Sequence, residues 1–231
     1  MTLKLFELVG EDAARPFSPF CWRIRMALAH KGLEVETIPW RFTEKSAIVP
    51  YTSDKVPVLL DGDQSVCESF AIAEYLENAY PDRPSLFGGD GGRAMARMIN
   101  SWGDVTLVAG LAPLIVADIV TKLGPEDAAY FRSSREARFG KTLEQVSADR
   151  DRAVEGFRKS LLPMRLTLKA QPFLGGTAPN YADYIAFGGF QWARAVSPFA
   201  LLEPSDPVYA WRDSLLDSFG GLARHSKGYP V

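Results

Sequence analysis

Residues 55–70 read KVPVLLDGDQSVCESF, and this stretch decides the fold. Residues 56–60 and 65–67 are short runs rich in β-forming side chains, and the Asp61-Gly62 pair between them is typical of a hairpin turn. Ser69 is a favourable N-cap, so a helix is predicted to begin there and to end near Tyr80, before Pro81. The stretch therefore predicts a β-hairpin that leads directly into a helix.

The residues before this stretch predict a strand, a helix and a second strand. Residues 3–8 and 35–38 have strand patterns. Between them, Ser18 is placed as an N-cap and Pro19 as the first helical residue, since a proline there lacks only an N–H that would be unpaired. The helix is expected to run to Lys31 and to stop at Gly32. Residues 39–55 show no clear periodicity and are expected to form a long surface segment. The predicted order is β-α-β, then β-β-α.

After this unit, strand patterns mostly disappear and helical periodicity takes over. Residues 81–92 hold two prolines and four glycines, which is typical of a boundary. We therefore predict an N-terminal α/β domain over residues 1–81, a linker over 82–92 and an all-helical domain over 93–231. Asn180 and Asp183 form a variant capping box for a central helix that runs to about Val196, and Asp206-Pro207 opens the last strong helix.

Composition excludes several classes of protein. The chain has 231 residues, 47% apolar and 23% charged, with a formal net charge of −2, as in a globular protein without a polyanionic partner such as nucleic acid. The longest apolar stretch, residues 105–119, is interrupted by glycine, proline and aspartate, so no membrane span is expected. No secretory signal is apparent, and the two cysteines and two histidines suggest reduced thiols in the cytoplasm and no metal site.

Two runs of sequence carry a resemblance to a known family. The run SPFCWRIRMAL at residues 18–28, and the sequence KVPVLL followed by ESFAIAEYL at residues 68–76, resemble the serine-type cytosolic glutathione transferases. The Trp22-Arg23 element and the segment at residues 29–32 are similar to bacterial glutathione-dependent β-etherases and related fungal enzymes. The resemblance implies a thioredoxin-like β-α-β-β-α domain followed by a helical domain, with glutathione as cosubstrate and a homodimeric assembly.

The resemblance gives Ser18 the catalytic position. Its hydroxyl would donate a hydrogen bond to the sulfur of glutathione, and the helix N-terminus would favour the thiolate. Together these could lower the thiol pKa by roughly one to two units from its usual value of about 8.5. Cys21, one helical turn later, is interpreted as structural, with a redox role as the alternative.

The other glutathione contacts also follow from the resemblance. Pro57 is expected in the cis form, so that the backbone of Val56 pairs with the cysteinyl unit of glutathione like an added strand. Glu68 and Ser69 would hold the γ-glutamyl end at a helix N-terminus. Lys45 and Lys55 would meet the glycine carboxylate of glutathione. Phe20, the aromatic residue of the Ser-Pro-Phe motif, completes the predicted set of glutathione contacts.

The second ligand is less determined. Trp22, Trp40 and Phe42 lie near the proposed sulfur and are candidates for an apolar pocket that holds an aromatic electrophile. From the helical domain, Trp102, Leu107 and Phe131 are candidates to complete it, although core packing is the alternative for each.

The predicted function is a glutathione S-transferase, an enzyme of the detoxification type, whose thiolate attacks a hydrophobic electrophile. Three alternatives stay open. A glutathione-dependent β-aryl etherase would use the same thiolate to displace an aryloxide. A non-catalytic ligand-binding module would share the fold without turnover. A thiol reductase would use Cys21 as its nucleophile.

Overall fold

The computed structural model describes residues 2–230 and confirms the predicted fold class. The N-terminal unit has a four-stranded sheet in the order β2-β1-β3-β4, in which β1 and β2 are parallel and the other neighbours are antiparallel. Its elements are β1 (Leu3–Leu8), α1 (Pro19–His30), β2 (Val35–Trp40), β3 (Val58–Asp61), β4 (Gln64–Cys67) and α2 (Ser69–Ala79). The predicted order, β-α-β followed by β-β-α, is therefore correct.

Two local predictions in this unit are wrong by one residue. Asp61 pairs with Gln64 at the end of the hairpin, so the two-residue loop is Gly62-Asp63, and Gly62 takes a positive φ of 59° there. The N-cap of α2 is Glu68, and Ser69 is the first helical residue. Glu68 has φ 70° and ψ 129°, a conformation that sequence patterns do not reveal and that costs about 1–3 kcal/mol in a non-glycine residue.

After α2, the residues that the structure describes form helices and connecting loops, with one isolated bridge between Phe173 and Gly176. They are α3 (Asp90–Trp102), a π-helical segment (Gly103–Val108), α4 (Ala109–Val120), α5 (Pro125–Phe139), α6 (Leu143–Ser147), α7 (Arg150–Ser160), α8 (Leu162–Ala170), α9 (Tyr181–Val196) and α10 (Pro207–Gly221). Two single-turn 3-10 helices, Lys45–Ala47 and Val49–Tyr51, lie in the segment expected to be irregular.

The first part of the helical region is one continuous helix from Asp90 to Val120. Its 31 residues include an 18-residue window with a mean hydropathy of 1.8, so by length and composition it could cross a membrane, contrary to the sequence expectation. The helix is longer than expected because Gly110 and Pro113 do not interrupt it. The core helix of a globular protein passes the same test, and this helix packs against α9, α6 and α7.

Helix α9 is the centre of the molecule, as its apolar sequence predicts. Of its 16 residues, 14 are buried, and α1 crosses it closely. At the crossing, a Cβ on Gly188 would lie only 2.3 Å from the carbonyl oxygen of Pro19, so only glycine allows this approach. The crossing fixes the N-terminal turn of α1 against the helical region.

The segment between the two regions is part of the core. Leu86 and Phe87 are buried, and α3 begins at Asp90, within the stretch 82–92 predicted as a linker. The Tyr181 hydroxyl donates to the carbonyl of Ser69 at 2.8 Å, and the Tyr181 amide donates to the carbonyl of Leu86 at 2.9 Å. Helices α2 and α9 are thereby joined through one buried side chain.

Candidate functional site

A cavity of about 400 Å³ opens at the N-terminus of α1, between the two regions of the molecule. We call it the Ser18 cavity. Eight of the candidate site residues line it, namely Ser18, Phe20, Trp40, Phe42, Lys45, Lys55, Val56 and Phe131. The opposite wall comes from the π-helical segment, α4, α5 and Trp192 of α9. The structure therefore brings most of the predicted glutathione and electrophile residues into one space.

Ser18 caps α1 and lies at the wall of this cavity. Its backbone is extended, with φ −66° and ψ 127°, and its Oγ accepts a hydrogen bond from the amide of Cys21 at 3.2 Å. Ser18 is buried, with 3% of its surface exposed. As an N-cap the hydroxyl acts as an acceptor, and its own hydrogen stays available for a ligand. Capping and donation to a bound sulfur are therefore compatible.

Cys21 is a poor acceptor for the hydroxyl hydrogen of Ser18 at neutral pH. Its side chain is fully buried, and burial raises the pKa of its thiol to about 12, although a hydrogen bond from Ser18 acts in the opposite direction. A neutral thiol is a weak nucleophile and a weak acceptor, whereas a ligand thiolate beside Ser18 would be an anion. Burial thus supports the structural interpretation of Cys21.

The residues from the hairpin lie next to the cavity. The Val56-Pro57 peptide bond is cis, as the resemblance implied, and Val56 lines the cavity. Pro57, Glu68 and Ser69 lie outside the lining itself. The exposed Lys55 joins the two groups, since its Nζ lies 3.3 Å from the Glu68 carboxylate. No side chain caps the first turn of α2, so N–H groups there are available to an anionic ligand.

Lys45 lies over the aromatic wall. Its Nζ is 5.2 Å from the ring centroid of Trp40 and 5.8 Å from that of Tyr130, and it donates to the backbone carbonyl of Asp54. The Trp40 indole is held in turn by a 2.7 Å hydrogen bond to the carbonyl of Glu44. Two cations, Lys45 and Lys55, therefore stand at the same side of the cavity.

Trp22 does not belong to the cavity. Its side chain is fully buried, and its Nε1 donates to the carbonyl of Pro16 at 3.0 Å. Residues two positions apart on a helix point in nearly opposite directions, so Phe20 faces the cavity while Trp22 faces the core. Of the three helical-domain candidates, Phe131 lines the cavity, and Trp102 and Leu107 do not.

A buried ionic network supports the wall beneath Phe20. The fully buried Arg23 donates to Asn100 at 2.9 Å and to Asp104 at 2.7 Å, and its guanidinium lies 4.7 Å from the centroid of the Phe20 ring. Asp104 belongs to the π-helical segment and also accepts from Asn100 at 3.2 Å. The network ties the first turns of α1 to the helical wall.

Of the contribution of α5, sequence reasoning found only Phe131. Tyr130, Arg135, Arg138 and Phe139 line the cavity together with Phe131. The spacing of positions 131, 135 and 139 places them on one helical face and was a usable signal. The charged residues between these positions, however, make the segment polar overall.

Comparison with known proteins identifies the family. Residues 14–84 match the family model for the glutathione S-transferase N-terminal domain, and residues 94–205 match that for the C-terminal domain. The chain belongs to the glutathione S-transferase family. Glutathione S-transferase U13 of Arabidopsis thaliana is 38% identical over 172 residues, which cover 72% of this chain and 66% of that protein. Glutathione S-transferase U7 of the same plant is 27% identical over 73% of this chain, and the match spans 63% of its length.

The fold of this glutathione S-transferase family member also matches solved structures. A glutathione S-transferase of Ceriporiopsis subvermispora, determined in complex with glutathione, superposes with a TM-score of 0.80. The two are 23% identical, and the match covers 100% of this chain and 99% of that one. In residues 2–230, no group of three or more His, Cys, Asp or Glu side chains is arranged to hold a metal ion.

Proposed function

We propose that this protein is a serine-type glutathione transferase in which the Ser18 hydroxyl stabilises the thiolate of glutathione. The observation that carries this proposal is the position of Ser18, which caps α1 and at the same time lines an aromatic cavity. The helix N-terminus favours negative charge there, and a hydroxyl donor adds a charge-assisted hydrogen bond. The bound thiol releases its proton to water, and its thiolate then attacks the electrophile.

The surroundings of Ser18 suit an extended tripeptide. The cysteinyl unit would lie along Val56, and the γ-glutamyl carboxylate would meet the uncapped N-terminus of α2 at Ser69. The unusual backbone of Glu68 supports a ligand role, because strained residues concentrate at binding sites. Lys45 and Lys55 are placed to attract the glycine carboxylate.

The electrophile is proposed to be aromatic. Eight aromatic side chains line the Ser18 cavity, from both regions of the molecule. They are Phe17, Phe20, Trp40, Phe42, Tyr130, Phe131, Phe139 and Trp192. Such a wall also suits β-aryl ether cleavage, in which the thiolate displaces an aryloxide. Turnover of a β-aryl ether compound at a rate above that of a chloronitrobenzene would favour the etherase over simple conjugation.

The decisive experiment compares wild type with Ser18→Gly and Ser18→Thr. Glycine preserves most of the capping preference without a hydroxyl, and threonine retains the hydroxyl. Glutathione binding is measured by calorimetry, and the thiolate is followed by ultraviolet absorbance across pH. We expect the bound thiol pKa in Ser18→Gly to rise by about one to two units relative to wild type, as the loss of a hydrogen bond to an anion implies.

The outcomes separate the alternatives. An unchanged thiol pKa in Ser18→Gly would remove Ser18 from the mechanism. Glutathione binding without turnover of any aromatic electrophile would support the non-catalytic binding module. Cys21→Ala should leave the thiol pKa unchanged, whereas loss of activity only in this variant would point to a thiol reductase.

We further propose that the protein is a cytoplasmic homodimer. Met95, Met98 and Val105 are 58%, 61% and 74% exposed along one continuous helix, and apolar side chains grouped this way favour a protein interface. Sedimentation velocity should show a dimer, and Met98→Glu should shift the population toward monomer. A wild-type monomer at micromolar concentration would refute the homodimer and would leave the proposed thiolate chemistry unaffected.

A further inference from the structure

The charges of the Ser18 cavity are not balanced. Four cationic side chains line it, Lys45, Lys55, Arg135 and Arg138, against the two carboxylates of Asp54 and Asp104. Asp104 is engaged by Arg23 at 2.7 Å, and Lys55 is engaged by Glu68 at 3.3 Å. Asp54 neighbours Lys55 in the chain and accepts from Lys45 through its backbone carbonyl. The two arginines of α5 are left facing the cavity on the helical side.

Arg135 has an environment that is unusual for an arginine. Its guanidinium lies 4.8 Å from the ring centroid of Phe131 and 5.7 Å from that of Phe42, and it is half-buried. Within residues 2–230, its hydrogen bonding is limited to the Ser134 hydroxyl at 3.0 Å, and no carboxylate lies within salt-bridge distance of it or of Arg138. A guanidinium has five N–H donors, so most of those on Arg135 are free for a ligand.

The same helix shows that this arrangement is specific to the cavity side. Arg132, one turn before Arg135, lies 2.8 Å from Glu136 and 2.8 Å from Glu144. Burial and the nearby charge of Arg138 also disfavour the charged form of Arg135 and lower its pKa. An arginine that is partly removed from water with no anion to pair with costs free energy, and an anionic ligand would offset that cost.

We propose that the electrophile of this site is an aromatic compound that carries a carboxylate, which Arg135 binds through paired N–H donors. This inference deepens the proposed function and rests on it for the place of the electrophile. Arginine is most selective for a planar carboxylate when its guanidinium stacks on aromatic rings and presents two N–H donors side by side. Arg138 adds a second positive charge. The aromatic ring would lie against the wall formed by Phe42 and Phe131.

The test measures binding first, without any reaction. Calorimetry compares 3,5-dinitrobenzoate with 3,5-dinitrobenzamide, which has a similar shape and no charge, in the absence of glutathione. Wild type should bind the benzoate about 10- to 100-fold more tightly, as expected for hydrogen bonds to a charged group. Arg135→Gln should abolish this preference and leave benzamide affinity within about twofold. Arg135→Lys, which retains the charge, should keep part of the preference. Arg132→Gln is the matched control on the same helix and should behave as wild type.

A second measurement follows turnover of 4-chloro-3,5-dinitrobenzoate and of the corresponding benzamide, each divided by its uncatalysed rate. The glutathione sulfur forms a bond to the ring carbon, and chloride leaves with the bonding electron pair. The wild-type preference in kcat/KM should fall at least tenfold in Arg135→Gln.

The results for the two proposals are distinguishable. Selective benzoate binding that depends on Arg135, without turnover, would retain the anion site and count against the transferase. Equal wild-type affinity for benzoate and benzamide, no binding of either, or an equal loss in Arg132→Gln would overturn the inference.

Discussion

Asp183 should be the residue whose loss most damages folding, since it does more than close a capping box. Its carboxylate accepts hydrogen bonds from the amides of Leu174, Gly175 and Asn180 at 2.7, 2.8 and 3.0 Å, and from the Trp211 indole at 2.8 Å. The side chain is fully buried. Asp183→Ala would leave all four donors without their partner.

The expected loss in the free energy of unfolding follows from these four hydrogen bonds. A buried donor left unsatisfied costs about 1–3 kcal/mol; the Trp211 indole is buried and the three amides belong to half-buried or exposed residues, so the variant should lose about 3 kcal/mol. A whole domain is stable by only about 5–15 kcal/mol, so this loss would be a large share of the protein's stability. Asp183→Asn retains one oxygen but turns an amide N–H2 toward the other donors, and we expect a smaller loss of about 2 kcal/mol. A residue acting only as a cap would cost about 1 kcal/mol.

Urea unfolding followed by tryptophan fluorescence gives the free energies of unfolding. Glu155→Ala, an exposed acid on α7, is the control and should match wild type. If Asp183→Ala does not fold, Trp211→Phe removes one donor and should also be destabilising, through the lost hydrogen bond and the cavity left at a buried side chain. A loss below about 1 kcal/mol in Asp183→Ala would refute the reasoning, and so would a larger loss in Asp183→Asn than in Asp183→Ala.

Three further predictions concern single contacts. Burial lowers the pKa of His30, so as pH falls the unfolded chain binds a proton at this side chain before the folded protein does. The contribution of His30 to stability should be complete above about pH 6.5 and should decline below it by at most about 1.4 kcal/mol per pH unit. His30→Gln should remove this dependence when urea midpoints at two pH values are compared. Burial raises the pKa of Cys21 to about 12, so iodoacetamide at mild alkaline pH should modify Cys67 alone. Mass spectrometry of the native protein would show which cysteine reacts, and early modification of Cys21 would contradict its burial. Tyr181→Phe deletes the hydrogen bond to Ser69 and should cost about 1 kcal/mol in the same urea assay, and an unchanged midpoint would mean that the bond contributes nothing.

The fold could be predicted from sequence because its signals are local. Ser18-Pro19, the hairpin and the Asn180–Asp183 box each specify the start or end of an element within a few residues, and all three are present, with the hairpin turn one residue later than expected. The error at Glu68 shows the limit of such signals. Its positive φ is imposed by the connection from β4 to α2, and no pattern of residue types encodes it.

The site could be predicted only in its N-terminal half. Ser18, Val56 and the lysines lie near one another because short elements connect them, whereas Arg135 lies far along the chain and reaches the cavity through the packing of α5 against its neighbours α4 and α6. Trp22 was misplaced for a different reason. An aromatic residue near a site is assigned to it by proximity in sequence, but the helical rotation of α1 decides which aromatic residue faces the ligand.

The π-helical segment at residues 103–108 has an evolutionary consequence. A π-helical turn holds one more residue than an α-helical turn, so deletion of a single codon there would let α3 run into α4 as regular α-helix. Because the π-helical turn absorbs the extra residue, the helix downstream would keep its orientation relative to the part anchored to Arg23. Val108, Ala112 and Val116 would stay on the cavity wall. This wall could therefore gain or lose one residue in evolution without exchanging the face that lines the pocket, which the same change in a regular α-helix would rotate by about 100°.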